Sequence, residues 1–380
     1  MRESSQTLLT TFPAARASDS LIPPLHDLLN IRESPMHLRL TLAVALSALA
    51  TTLVPAVPAV ADEPRAQLQH PLQLERGPAP RVLSMVGNQI RFADGRTVTF
   101  ERPAGVTGQA RLIGRFRSDA VVWAPYGEDR SAVFKVRPSG RVSMLGEPWV
   151  DRYGDNGWQI AGNLLYVASY DARSRTRLSK VSLVDGAVRR TWISARSEIW
   201  SLLDVTPHRA AIGNGSRLKV WRGDGRFERV FVQSGRRYGD VSFASLRHDW
   251  FAHRTSDGTE LRRISAPGTV VWKQGYENEM LPTDLSGDGS VLLTTEYETY
   301  SPQLREARTG RILRSYDGGY HSAYNSSEQL VLEGNRAFLV VMELRIDGKR
   351  REMLVRCTIG GRCERASRVA STITLVTHGS

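Results

Sequence analysis

The chain is 380 residues long, 41% hydrophobic and 24% charged, a composition that excludes a largely disordered protein. Its formal net charge is +12, and residues 62–380 carry that whole excess. Only five basic residues are lysines (Lys135, Lys180, Lys219, Lys273, Lys349). The arginines are spread along the chain with no tight cluster and no nucleic-acid-binding motif, so nucleic acid is not expected as a partner.

Residues 1–35 place no coherent basic segment before an apolar core, so the start is expected at Met36 and the upstream stretch reads as a misassigned extension. From Met36 the chain reads MHLRLTLAVALSALATTLVPAVPAVADEP. Arg39 supplies the positive charge, Leu40 to Leu53 an apolar run, and Ala59-Val60-Ala61 a small-residue cleavage pattern. Residues 36–61 therefore read as a signal peptide and the mature protein as secreted. Pro55 and Pro58 cut the apolar run short of a membrane anchor, so no membrane span is expected after cleavage. Residues 62–80 read as a Pro-containing linker.

From residue 81 one element recurs: a short strand, a tight turn holding glycine, and a second short strand. The instances are IRFADGRTVTFE (Gly95), FKVRPSGRVSML (Gly140), VSLVDGAVRRTWI (Gly186), VWRGDGRFERVFV (Gly225), RRISAPGTVVWKQ (Gly268), LREARTGRILRSY (Gly310) and VRCTIGGRCERA (Gly360). Their spacings are 45, 46, 39, 43, 42 and 50 residues. A repeat of about 40–45 residues holding four strands is a propeller blade, and seven turns predict an all-β, seven-bladed β-propeller over residues 81–380. The first repeat, RVLSMV then QIRFA and TVTFE, lacks an inner strand. The chain ends with an orphan apolar run, Ile373 to Val376, which is expected to complete that blade and close the ring.

The only cysteines, Cys357 and Cys363, flank the last glycine turn. In an exported protein they read as a disulfide across a hairpin. On the elements Leu285-Ser286-Gly287-Asp288-Gly289 and Arg308-Thr309-Gly310-Arg311 the chain resembles the secreted WD40-like or TolB-like β-propeller repeat proteins of bacteria. That resemblance covers residues 81–380 and implies the propeller, without fixing a function.

No sialidase box, quinoprotein repeat, G-x-S-x-G elbow or metal-ligand histidine spacing occurs, so no catalytic residue, metal or cofactor is expected. His248-Asp249 reads as a surface turn between a first and a second strand. The loops that lead into each inner strand share one rim of the channel, and they carry aromatics and carboxylates in succession. Asp155 with Trp158, Glu198 with Trp200, Tyr238 with Asp240, Tyr276 with Glu279, and Tyr320 are the expected ligand-binding residues. Gap filling between blades and ordinary ion pairing would account for the same residue types. The leading expectation is an exported, monomeric, non-catalytic recognition module for a protein, peptide or cell-envelope polymer. A glycan- or peptide-acting hydrolase or lyase using two rim carboxylates is the alternative.

Overall fold

The runs Ala120–Ala124 (AVVWA), Leu164–Ala168 (LLYVA), Ala210–Gly213 (AAIG), Val291–Thr294 (VLLT) and Phe338–Met342 (FLVVM) are continuous rather than alternating. A strand apolar on both faces has to be covered on both faces, which sheets stacked face to face provide. In the computed structural model these runs are the second strands of five of seven small sheets, and they are buried almost throughout. The structure describes residues 65–67, 70–128, 130–150, 157–171, 173–195, 198–222, 224–232, 239–275, 280–296, 301–317 and 330–376, within a compact unit that spans Val60–Ser380.

Each sheet is an antiparallel four-strand blade, making a seven-bladed β-propeller. The inner strands of blades 2 to 7 are Arg111–Phe116, Trp158–Ala161, Ser201–Val205, Asp240–Ser245, Met280–Leu285 and Leu330–Leu332. Blade 1 takes its inner strand from the other end of the chain. Ile373–Leu375 pairs antiparallel with Ser84–Val86, which is followed by Gln89–Arg91 and Thr97–Thr99. The orphan C-terminal run therefore closes the ring, as its position predicted. Two sheets gain an extra strand: Arg65–Gln67 lies parallel along the outer strand Ile312–Asp317 of blade 6, and Trp149–Val150 pairs with Arg130–Ser131 in blade 2.

Among the described residues, buried apolar side chains gather in seven clusters, one at each seam between consecutive blades. The seam between blades 7 and 1 holds Val82, Val331, Leu339, Val341, Leu354, Ile373 and Leu375. Outer strands are wet by contrast, as in Val188–Ile193, where all but one residue is exposed.

The repeated turns use a left-handed glycine at Gly95, Gly140, Gly186, Gly225 and Gly310. The last turn places it at Gly361 (φ 89°), one residue beyond Gly360, and the turn at Gly268 does without one. There Ala266-Pro267-Gly268 closes through Thr269 N–H donating to the Ala266 carbonyl at 2.8 Å. Cys357 and Cys363 are direct cross-strand partners joined by a disulfide, with Cα atoms 4.2 Å apart. Among the described residues no helix is long and apolar enough to cross a membrane.

Candidate functional site: the channel wall and its rim

The inner strands of blades 2, 4, 5 and 6 each carry a register shift at one corresponding place, passing over Ile113, Leu203, Ser242 and Thr283. A bulge adds one residue to one strand and re-aims the side chains beside it. The residue after the bulge is Asp204 in blade 4 and Asp284 in blade 6, both carboxylates set inside an apolar strand.

Both reach sideways to the next blade. Asp204 Oδ2 accepts from Leu246 N–H at 2.5 Å, and Asp284 Oδ2 accepts from Leu332 N–H at 2.8 Å. Asp284 Oδ1 also accepts from its neighbour Leu285 at 2.8 Å. Gln159 does the same work in blade 3, its Nε2 donating to the Leu203 carbonyl at 3.1 Å. In blade 1 Thr374 Oγ1 accepts from Leu112 N–H at 3.2 Å. Four seams are thus stitched by a polar side chain of one inner strand bonded to the backbone of the next. A buried backbone amide left without such a partner would be costly.

Between these stitches the inner strands of blades 3 to 6 line a half-open cavity of about 610 Å³. Its wall is mixed. Ile160, Leu202 and Phe243 contribute apolar surface, while Gln159, Ser242, Asp204 and Asp284 contribute polar groups. Gln159 Oε1 and Ser242 Oγ are buried there without a hydrogen-bond partner. Arg247 and His248 line the end of the cavity at the turn that follows the blade 5 inner strand. The His248-Asp249 turn is thus a turn as expected, with His248 facing the cavity and Asp249 bonded to Ser265 N–H at 2.8 Å.

Burial pushes the Asp204 carboxyl up to about 6. The amides of Leu246 and Val205 act against that shift, and the charge of Asp284 adds to it. His248 is lowered from its ordinary value by burial and by Arg247, so its imidazole is neutral at pH 7.

The rim expected from the sequence lies at the opposite end of the inner strands, where each begins. Glu198 and Trp200 are brought together in the seam between blades 3 and 4. Glu198 accepts from Trp200 Nε1 at 3.1 Å and from Arg217 Nη1 at 3.0 Å. Those bonds, that to Arg217 foremost, hold its carboxyl below its ordinary value. Trp200 is fully buried, its backbone N–H donates to Thr176 Oγ1 at 2.8 Å, and Arg217 and Lys219 stand 5.0 and 4.3 Å from its ring centroid. Trp158 sits apart from them, tilted against Trp123 at 6.0 Å in the seam between blades 2 and 3. Asp240 opens the blade 5 inner strand opposite Arg254; desolvation raises its carboxyl, and the charge of Arg254 pulls the other way. Asp155, Tyr238, Tyr276, Glu279 and Tyr320 lie outside the described residues. Among the described residues no group of three or more His, Cys, Asp or Glu side chains is placed to hold a metal ion.

The rim reading passed over Asp204 and Asp284. The available signal was a lone acid within an apolar strand, as in Ser201–Val205 (SLLDV) and Met280–Leu285 (MLPTDL).

No protein-family model matches the chain, and no curated protein matches it in sequence. Solved structures share its fold at low identity. A puromycin hydrolase superposes with a TM-score of 0.50 at 15% identity, over 81% of this chain and 57% of that one. An uncharacterised protein of Listeria monocytogenes matches at 12% identity and TM-score 0.45, over 71% of this chain and 86% of that one. Hsv2 of Kluyveromyces lactis matches at 9% identity and TM-score 0.39, over 69% of this chain and 99% of that one. The likeness is one of fold: a β-propeller.

Proposed function

We propose that the protein is an exported, non-catalytic recognition propeller that takes a side chain or short sugar of a peptide, protein or cell-envelope polymer into the channel cavity. The observation that carries this reading is the partly apolar 610 Å³ cavity, with Gln159 Oε1 and Ser242 Oγ unpartnered on its wall. Ligand sites have this composition: apolar contact area with a few convergent polar groups that fix orientation. Asp204 and Asp284 are engaged in holding backbone amides of the next blade. The rim loops, with Asp155, Asp240, Tyr238, Tyr276, Glu279 and Tyr320, would extend the contact face around the channel mouth. Export is supported by the segment 36–61 and by a disulfide, which persists in oxidising compartments.

The test is capture of partners from envelope extract by the mature protein, followed by glycan-array binding. Ser242→Phe should fill the cavity without opening the ring, and captured material should fall at least tenfold. Equal capture by the variant, with its melting temperature unchanged, would remove the cavity from the reading.

One observation favours a second reading, a glycan- or peptide-acting enzyme. A carboxyl raised to about 6 in a cavity that a second carboxylate, Asp284, also lines suits a general acid. Turnover of a glycan or peptide library that Asp204→Asn abolishes would establish it in place of the first.

A further inference from the structure

A second cleft, of about 220 Å³, opens at the seam between blades 1 and 7, away from the channel. Its lining includes Arg76 from the strap of residues 70–80 that precedes blade 1, Ser84, Gln89 and Arg91 from blade 1, and Arg368 from the segment after blade 7. No carboxylate is among the residues that line it. Ser84 and Arg91 are direct cross-strand partners, so their side chains share one face of the sheet. Ser84 is fully buried with its hydroxyl unpartnered, and the buried Arg91 Nε is unpartnered too.

Three other inward-facing arginines are fully engaged, whereas the buried Nε atoms of Arg209 and Arg365 are unpartnered like that of Arg91. Arg356 is bonded to Glu333, Glu364 and the carbonyls of Pro78 and Ala79. Arg305 is bonded to Gln303, Gln274 and the Gly310 carbonyl. Arg262 meets Glu260 and the Pro267 carbonyl. A buried guanidinium nitrogen is costly unless its donor is met, and among the described residues nothing meets Arg91 Nε.

We propose that this cleft binds a phosphate or sulfate group, free or carried as an ester on a larger molecule. Arg91 and Ser84 would donate to its oxygens from the floor, and Arg76 and Arg368 would close over it. Guanidinium forks match tetrahedral oxyanions geometrically, and charge-assisted bonds in a cleft without competing carboxylates are strong. Arg368 is already oriented, its Nη2 donating to Gln89 Oε1 at 2.8 Å. The strap carrying Arg76 is pinned as well: Arg356 holds the carbonyls of Pro78 and Ala79 at 2.8 and 3.0 Å, and Gly77 N–H donates to the Arg365 carbonyl at 2.9 Å. The cleft has room for several water molecules at roughly 30 Å³ each, hence for an anion with part of the molecule that bears it.

Calorimetric titration of the mature protein with sodium sulfate, sodium phosphate and glycerol phosphate, against sodium chloride at matched ionic strength, tests this. One saturable site is expected, with affinity lowered tenfold or more by Arg91→Gln and severalfold by the exposed pair Arg76→Gln/Arg368→Gln. The surface pair should leave the anion-free melting temperature unchanged, so it decides the matter if Arg91→Gln fails to fold. Glycerol phosphate binding at least as tightly as phosphate would assign the site to an ester, and binding of the free ions alone would assign it to a small ion. Absence of a saturable site, or equal binding by the surface pair and the parent, would overturn the proposal.

Discussion

The seam between blades 3 and 4 and the seam between blades 7 and 1 solve one packing problem with different materials. The first lies within continuous chain and is aromatic: Tyr166, Trp200 and Trp221 are buried there, with Trp192 and Phe227 against them. Its charged groups stand over rings, as Arg217 and Lys219 do over Trp200. The closing seam joins the two ends of the propeller and is built from small aliphatics, with no aromatic in its buried cluster. It adds what the other lacks, a buried ionic group in which Arg356 joins Glu333 and Glu364 and anchors the strap before blade 1. Large rings fill a gap whose walls are already held in place by the chain. Where the walls come from opposite termini, directional bonds fix the register and short aliphatics fill what remains.

The largest effect should come from the closing strand. Ile373 and Leu375 are 2% and 3% exposed, and truncating each to alanine should cost about 2–5 kcal/mol. Together that approaches the 5–15 kcal/mol total stability of an ordinary domain. The double variant should therefore lose its cooperative thermal transition; a sharp transition within a few degrees of the parent would show that the ring does not depend on this strand.

Arg356→Met comes next. It leaves Glu333 buried without its counter-charge and Glu364 with only the exposed Arg362 at 4.0 Å, and it frees the carbonyls of Pro78 and Ala79, at an expected cost of about 3–5 kcal/mol. The comparison sharpens with conservative changes measured by urea denaturation. Trp200→Phe should cost less than Arg356→Lys, because a ring can be replaced by a smaller ring while a bidentate fork has no lysine equivalent. The reverse order would mean that the closing seam is held by packing after all.

The closing strand could be read from sequence because an apolar run with no partner in its own repeat must find one elsewhere. The hairpin tempo was legible for a local reason, since a tight turn needs a residue that tolerates positive φ, and Gly95 or Gly310 marks the place. The same rule misplaces the left-handed residue at Gly360 and is unnecessary at Gly268, where the preceding proline shapes the turn. The site was less legible. The rim aromatics are visible as loop composition, yet Trp158 and Trp200 turn inward to fill seams. Asp204 stands in plain view in SLLDV, but its role depends on a bulge at Leu203 and on an amide 42 residues away. The oxyanion cleft draws Gln89 and Arg368 together across 279 residues, and no local pattern announces such a pairing.

A smaller effect distinguishes the stitches of the channel wall from both seams, because it depends on pH. The Asp204 carboxyl is raised to about 6 from 3.8, so the native state holds a proton there that the unfolded chain releases. Its stabilising contribution is complete below pH 3.8 and is lost as pH rises through 6. Two units correspond to about 3 kcal/mol, an upper figure for ionising this group in place. Asp204→Asn keeps an acceptor for the Leu246 amide and cannot ionise. Its melting temperature should exceed the parent's at pH 8 and match or fall below it at pH 4.5. A constant difference across that range would mean that Asp204 does not titrate in the folded protein.

The smallest effect tests whether the rim acid nearest a seam is part of it. Glu198 is bonded to Arg217 and Trp200 at the edge of the aromatic seam, and its depressed carboxyl contributes stability above the unfolded-state value that is lost as pH falls. The pair is part-exposed, with side chains 26% and 35% accessible, so it is worth no more than about 1 kcal/mol and less in high salt. Glu198→Gln should lower the melting temperature by a few degrees at most near pH 7 in low salt, and that difference should shrink in 1 M sodium chloride. If instead the variant unfolds, the aromatic seam relies on charge as much as the closing seam does, and the contrast between them is one of degree. If it is unchanged in stability but loses a captured partner, Glu198 belongs to the recognition face rather than to the seam.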